Sequence, residues 1–435
     1  MRSDAVSDVE TCDVLVIGGG PAGSTAAALL ASKGLDVLMI EKEVHPRFHI
    51  GESLLPKNLE IIDRLGLSEQ VAAMGVFKPG AEFVDDDTGE SVAFSFALSL
   101  GGGKKHAYQV RRSEFDAMLF TEAERRGART LQRTRVTELE FDGGDGRARV
   151  TASTEDGGER QFAPRFVLDA SGRDTFLAAK LGRKESNKLN NTAAVYAHFR
   201  GVTPRDDEHE GYITVHLVDN GWFWTIPLPD GVMSVGFVGT QAAFKARHGT
   251  MESFFEARLA ASPTIRARMH GAERISDVVG TGNYSYRVSA SSGPNYLMIG
   301  DAFAFIDPVF SSGVLFAMTG GEMGAEVAAR WLENPAAGLA MAKKAERALL
   351  RGMDRISWLI YRINEPVLRA MFMAPRNTFR MRDGLIAMLA GNLEGDRNTR
   401  LPVLAFKATY YVMLALHRLA PKAVGEAIRS PAPAE

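Results

Sequence analysis

The sequence predicts an α/β fold, α+β overall. Three observations carry that prediction: a strand, glycine turn, helix and strand over residues 12–41, period-two alternation over residues 192–239, and helical periodicity from about residue 336 onward. Together they predict a Rossmann-like nucleotide-binding domain, a mixed antiparallel-sheet domain, and a helical C-terminal region. A chain of 435 residues has room for two or three such lobes.

The first unit is the most informative. An apolar strand at residues 14–17 runs into GGGPAG, which sets Gly18, Gly20 and Gly23 at G-x-G-x-x-G spacing, with Pro21 and Ala22 opening a small-residue helix over residues 24–33. Gly18 permits the tight turn, Gly20 lets backbone amides approach a pyrophosphate, and Gly23 lets the helix lie close on the sheet. The helix start offers free N–H groups and partial positive charge to the phosphates. A second strand at residues 36–40 ends in Glu41, placed to accept hydrogen bonds from an unphosphorylated adenosine ribose. That favours FAD or NAD over NADP, and the unit does not separate FAD from NAD.

Composition sets outer limits. Lys plus Arg number 51 against 53 Asp plus Glu, a net charge of −2, which excludes a polyanion-binding surface and with it a nucleic-acid partner as the main business. The single cysteine, Cys12, cannot close an intrachain disulfide and falls in the first strand, so a packed thiol in a reducing, cytoplasmic compartment is expected. The N-terminal MRSDAVSDVE lacks the basic and apolar regions of a signal peptide, and no apolar run is long enough to span a bilayer. Membrane contact is not expected. No metal-ligand cluster and no nucleophilic triad is visible.

Along the chain, KEVHPRFHIGESLLP is a Pro/Gly-punctuated loop that brings Arg47, Glu52 and Ser53 toward the cofactor, and a helix follows it. Arg47 suits cofactor contact and a solvated loop position equally. FKPG (residues 77–80) makes a bend, and residues 82–96 alternate around DDTGE as an antiparallel pair. From composition alone Lys78 is a surface charge. Ser113 is expected to cap a helix carrying Phe115, Met118 and Leu119 on one face, with Arg111 and Arg112 just ahead of it, near the cofactor. Strands at 134–141, 148–152 and 166–168 lead to DASGR.

The alternating block AAVYAHFRGV, YITVHLV, WFWTIPL and VMSVGFVG, punctuated by DNG and PDG turns, predicts an antiparallel meander. On its WFWTIPL strand Trp222, Trp224 and Ile226 share one face. Two readings stand: a wall facing a ligand, or a sheet face packed on a helix. Residues 251–272 are expected to be helical. Near residue 300 a buried strand runs into Gly300-Asp301, where Asp301 can accept from ribityl hydroxyls. Pro308 and the Ser311-Ser312-Gly313 helix start follow, with free amides for a flavin carbonyl or a small anion. The last helices carry about twice as many basic as acidic residues and are expected mainly to pack against the cofactor domain, a partner-docking or membrane-surface face being the lesser reading. The tail SPAPAE is expected to be disordered.

Taken in order, GGGPAG, GESLLP, FKPG, DASGR, WFWTIP and GDAFAFIDPVFSSG resemble the flavin-dependent halogenases, within the aromatic-hydroxylase-like FAD monooxygenase superfamily. The resemblance covers about residues 10–330. W-x-W-x-I-P and the lysine after the FKPG phenylalanine carry it beyond the superfamily. It implies FAD supplied reduced by a separate flavin reductase, with O2 and a halide ion, chloride or bromide, as co-substrates. Hypohalous acid would form at the flavin and pass to Lys78, the catalytic residue. The resemblance further implies that Arg47, Ser53 and Arg111 contact FAD with the glycine turn, Glu41, Asp301, Pro308 and Gly313. Ser312 and Gly313 would bind halide, and Trp222 and Trp224 would separate flavin from substrate. Where tryptophan halogenases carry a catalytic glutamate, this sequence has Phe310. The implied substrate is therefore an electron-rich phenol or pyrrole, free or tethered to an acyl carrier protein, rather than tryptophan. The alternative is a flavin monooxygenase or prenyl-chain reductase of the same superfamily. The implied FAD domain is discontinuous, at residues 9–80, 104–185 and 276–335, with the sheet domain at 81–103 and 186–275 and helices over 336–430.

Overall fold

The computed structural model describes residues 9–141, 146–186, 192–205, 207–282, 285–393 and 397–419. The tail SPAPAE lies outside the described residues. The first sheet is built on the strand Glu10–Ile17, which runs parallel to Val37–Ile40 on one side and Glu159–Asp169 on the other. Arg129–Leu131 extends it at one edge and Tyr296–Met298 at the other, both parallel. A parallel sheet covered on both faces needs apolar residues throughout, and VLMI is buried at all four positions. The helix Pro21–Ala31 covers one face, and the long helix Gly313–Glu333 packs on it so closely that a Cβ at Gly321 would stand 2.4 Å from the Ala22 carbonyl oxygen. The chain leaves this sheet after Asp169 and rejoins its parallel strands at Tyr296, ahead of the long helix.

The second sheet runs in the order Glu273–Arg274, Thr192–Arg200, Val232–Thr240, Gly221–Leu228, Ile213–Val218, Gly80–Asp85, Ser91–Ser95. The last three strands of the alternating block form the expected meander. Thr192–Arg200 instead joins the far side, against Val232–Thr240, and Ile213–Val218 pairs in parallel with Gly80–Asp85. The strand Val279–Gly282 also pairs with Thr192–Arg200, so this sheet reaches past residue 275. The expected hairpin around DDTGE is present as Gly80–Asp85 against Ser91–Ser95.

Two local expectations need correction. The helix over residues 112–125 is preceded by Arg111 with no side-chain cap, and Ser113 lies inside its first turn. The helical stretch after residue 250 is split into Met251–Ala261 and Pro263–Arg268, because Pro263 cannot continue the first helix and Ser262 caps the second.

The helices Pro335–Ile360, Pro366–Met373, Met381–Leu389 and Arg397–Leu419 close the molecule over both sheets. Phe372 is fully buried, edge-on to Phe83 with ring centroids 4.7 Å apart and 4.9 Å from Phe94. Arg369 anchors the same helix to Asp85 at 2.8 Å.

Candidate active site

A cavity of about 830 Å³ lies between the two sheets. At one end is the glycine turn. Gly18 has φ +99°, and a Cβ there would stand 2.4 Å from the Ala170 oxygen; at Gly23 it would stand 1.9 Å from the Gly18 oxygen. Those two glycines are required by the fold itself. Gly20 is different: a Cβ there would meet only Arg47 Nη2, at 3.5 Å. Its missing side chain leaves room on the cavity side, which is where a pyrophosphate must approach. The helix that follows has no side-chain cap, so its first N–H groups stay free for an anion. Glu41 is buried on the cavity wall and accepts from the Gly19 N–H at 2.7 Å and the Glu43 N–H at 2.9 Å. These residues fit the ADP half of FAD.

Further along the wall lie Arg47, Ser53, Asp301, Pro308 and Gly313. Arg47 is held between Glu43 at 3.2 Å and Asp116 at 3.4 Å. Burial pushes the Asp301 carboxyl up to about 6, against the pull of Arg112 and Arg173. Of the adjacent arginines, Arg112 lines the cavity while Arg111 turns away, donating to Asp230 at 2.9 Å and to the Pro229 carbonyl at 2.7 Å. Arg111 therefore ties the helix to the second sheet. Arg112 makes a two-pronged bond to Asp116, at 2.7 and 2.9 Å, and also donates to the Ile50 carbonyl at 2.7 Å.

At the other end stand the indoles of Trp222 and Trp224, both on the wall, with ring centroids 5.8 Å apart. The opposite face of that strand carries Phe223, which packs with Phe237 in a separate apolar core. The tryptophan face is thus turned to the cavity. Trp224 donates its indole N–H to Ser234 at 3.1 Å, and its ring covers Gly236, where a Cβ would stand 2.2 Å from it. Gly236 is directly opposite Trp224 in strand register. Sequence reasoning passed over Gly236, though a glycine inside a strand signals a close approach.

Lys78 ends the short strand Val76–Lys78, which pairs with Ala107–Gln109. Its neighbour Phe77 is 53% exposed and stacks on His106, while Lys78 is 1% exposed. That is the reverse of what hydropathy alone predicts. Lys78 Nζ donates to Ser53 Oγ and to the Leu54 carbonyl, each at 2.8 Å, and stands 5.3 Å from the Phe96 ring centre. Burial holds the amine down at about 7. A neutral amine has two N–H groups; with both engaged here, its lone pair is left free. Ser53 lines the cavity and holds Lys78, so the lysine is one side chain removed from it.

Glu52 is buried on the same wall, bonded to His198 Nε2 at 2.9 Å, with its second carboxylate oxygen unpartnered. Ser312 precedes the helix Gly313–Glu333, fully buried, with its hydroxyl unpartnered. Ser311 before it takes a left-handed φ of 56°, which turns the chain into that helix. Phe310 joins the Phe83–Phe372 cluster, with centroids 5.9 Å from Phe83.

Residues 11–319 match the family model for the FAD binding domain. The chain is 39% identical over 311 residues to a tryptophan 2-halogenase of Chondromyces crocatus, covering 70% of this chain and 58% of that protein. This chain belongs to the flavin-dependent halogenases. It spans less than two thirds of that relative's length. A 1H-pyrrole-2-carbonyl-[peptidyl-carrier protein] brominase of Pseudoalteromonas luteoviolacea is 36% identical over 322 residues, covering 73% of this chain and 77% of that one. Among solved structures, a flavoprotein/dehydrogenase from Cytophaga hutchinsonii superposes with a TM-score of 0.82 at 30% identity, over 91% of this chain and 98% of that one. FAD is accordingly the dinucleotide of the glycine turn, which resolves the choice between FAD and NAD.

Proposed function

We propose that this halogenase homologue uses reduced FAD, O2 and chloride or bromide to halogenate an electron-rich aromatic ring, with Lys78 as the catalytic residue. The observation that carries this reading is a buried amine with no carboxylate partner among the described residues, one serine away from the FAD cavity. Bound reduced FAD supplies the two electrons that, with O2 and halide, yield hypohalous acid. The chain's own residues do the rest. Gly18 to Gly23 and Glu41 hold the ADP half, Arg47, Asp301, Pro308 and Gly313 orient the remainder, and the backbone amides at Ser312 and Gly313 hold the halide. Trp222 and Trp224 keep the ring to be modified off the flavin, which disfavours direct oxygen transfer. The neutral Lys78 amine attacks the halogen of hypohalous acid: an N–halogen bond forms, the O–halogen bond breaks, and water leaves with the amine proton. The ring carbon then takes the halogen, the N–halogen bond breaks, and the ring proton returns to the nitrogen.

Phe310 supports a phenolic or pyrrolic substrate. In place of an acid it adds an apolar ring to the aromatic cluster, so the substrate must bring its own activating oxygen or nitrogen. A carrier-bound pyrrole is the substrate named for the Pseudoalteromonas relative, which supports a carrier protein as partner. A separate flavin reductase supplies the reduced cofactor, and the cytoplasm is the compartment. The Chondromyces relative, at 39% identity, favours indole as a second reading. The name of the Cytophaga flavoprotein keeps a reductase of the same superfamily as the other enzyme alternative. One assay decides among them: protein, flavin reductase, NADH, FAD, O2 and bromide or chloride, with phenol, pyrrole and indole substrates, read by product mass. A halogen isotope pattern on a phenol or pyrrole is expected. A halogenated indole alone selects the second reading, and a gain of hydrogen or oxygen selects the alternative enzyme.

A further inference from the structure

The last described helix, Arg397–Leu419, buries Phe406 and Tyr410 against the rest of the protein. Its outward face is apolar as well. Leu401, Leu404, Tyr411, Val412, Leu416 and Leu419 are 46–83% exposed and recur at helical spacing. The stripe is about 27 Å long at 1.5 Å per residue. Beside it the turn Thr378–Arg380 holds Phe379 78% exposed, in the left-handed region at φ 54°. A soluble surface does not ordinarily keep so long an apolar ridge uncovered.

Charge indicates what covers it. Residues 397–419 contain three arginines and one lysine and no aspartate or glutamate. Arg400 and Arg418 are exposed near the two ends of the stripe. Lys407 and Arg362 both stack on Trp358, at 4.7 and 5.4 Å from its ring centre, and Trp358 donates to the Tyr411 hydroxyl at 3.0 Å. Among the described residues, two acids packed near this helix are engaged: Glu365 accepts from the Tyr410 hydroxyl, and Asp383 pairs with Arg380 at 3.2 Å. An antiparallel second copy of the helix would set the terminal arginines side by side, with no acid of the helix itself between them. An apolar ridge bordered by Arg, Lys, Trp and Tyr fits an anionic lipid surface, into which such a helix sinks lengthwise. Among the described residues no helix is long and apolar enough to cross a membrane, so the contact is peripheral.

We propose that the outer face of Arg397–Leu419, with Phe379, docks this protein on an anionic membrane surface. This takes up the lesser of the two sequence readings of these helices, against the expectation of no membrane contact. The test is cosedimentation of the full FAD-loaded chain with vesicles of phosphatidylcholine containing about three-tenths phosphatidylglycerol. Wild type is expected to sediment with them, and at least about tenfold less with phosphatidylcholine alone or in high salt. The Leu404→Glu/Leu416→Glu variant is expected to lose binding while keeping its FAD content and melting temperature, since both side chains point outward. Absence of wild-type binding to the mixed vesicles overturns the proposal. So does a wild-type dimer that the variant converts to monomer, which assigns the face to a second copy. Capture of an acidic carrier protein without lipid binding overturns it likewise.

Discussion

Arg112 and Lys78 are both buried basic side chains near the same loop, and the fold treats them in opposite ways. Arg112 is given a carboxylate, Asp116, in a two-pronged bond, and a backbone carbonyl besides. Lys78 is given a hydroxyl, a carbonyl and an aromatic face, and no carboxylate. A guanidinium cannot shed its proton, so its burial requires a counter-charge. An amine can, and withholding the counter-charge lets burial bring it to about 7. The first arrangement holds a charge in place; the second leaves an amine able to shed its proton.

That contrast can be broken most directly at the lysine. Lys78→Ala is expected to cut halogenation by about 10³-fold or more while flavin binding and reoxidation continue, measured by product mass and flavin absorbance. Lys78→Arg is expected to be equally inactive, because it restores charge without a lone pair; an active arginine variant would remove nucleophilic catalysis from the mechanism. Asp116→Asn is expected to destabilise the fold by about 3–5 kcal/mol in urea denaturation, since it leaves Arg112 buried and unpaired. Gly236→Val is expected to cost about 1–3 kcal/mol by driving a side chain into the Trp224 ring. The smallest effect sharpens the contrast by titration. Lys78 is protonated below its pKa and nucleophilic above it, so activity should rise with pH through about 7 and level off above. Ser53→Ala should reduce the rate about tenfold and move that midpoint lower, because an acceptor that favours the ammonium is lost.

How much of this was legible depended on how local it was. The glycine turn is a matter of neighbouring residues, and its strand, helix and terminal Glu41 stand where spacing put them. Trp222 and Trp224 share a face by strand geometry alone, but which way the face looks depends on the core behind Phe223, assembled from Phe237 and Phe255 on other elements. The burial of Lys78 was hidden for the same reason. Its burial comes from Ser53, Leu54 and Phe96, and nothing in FKPG shows that Phe77 turns out and Lys78 in. Arg111 and Arg112 differ by one position at a helix start, where a rotation of about 100° decides which side chain meets the cavity. Val279–Gly282 joins the second sheet through pairing with a strand more than eighty residues away, which no local pattern signals.

Because the Trp224 indole rests in a notch left by Gly236 on the adjoining strand, that wall of the cavity is part of a hydrogen-bonded sheet and not of a loop. Its position is inherited with the backbone. Any change in the place of that indole must therefore be matched at Gly236 on the facing strand.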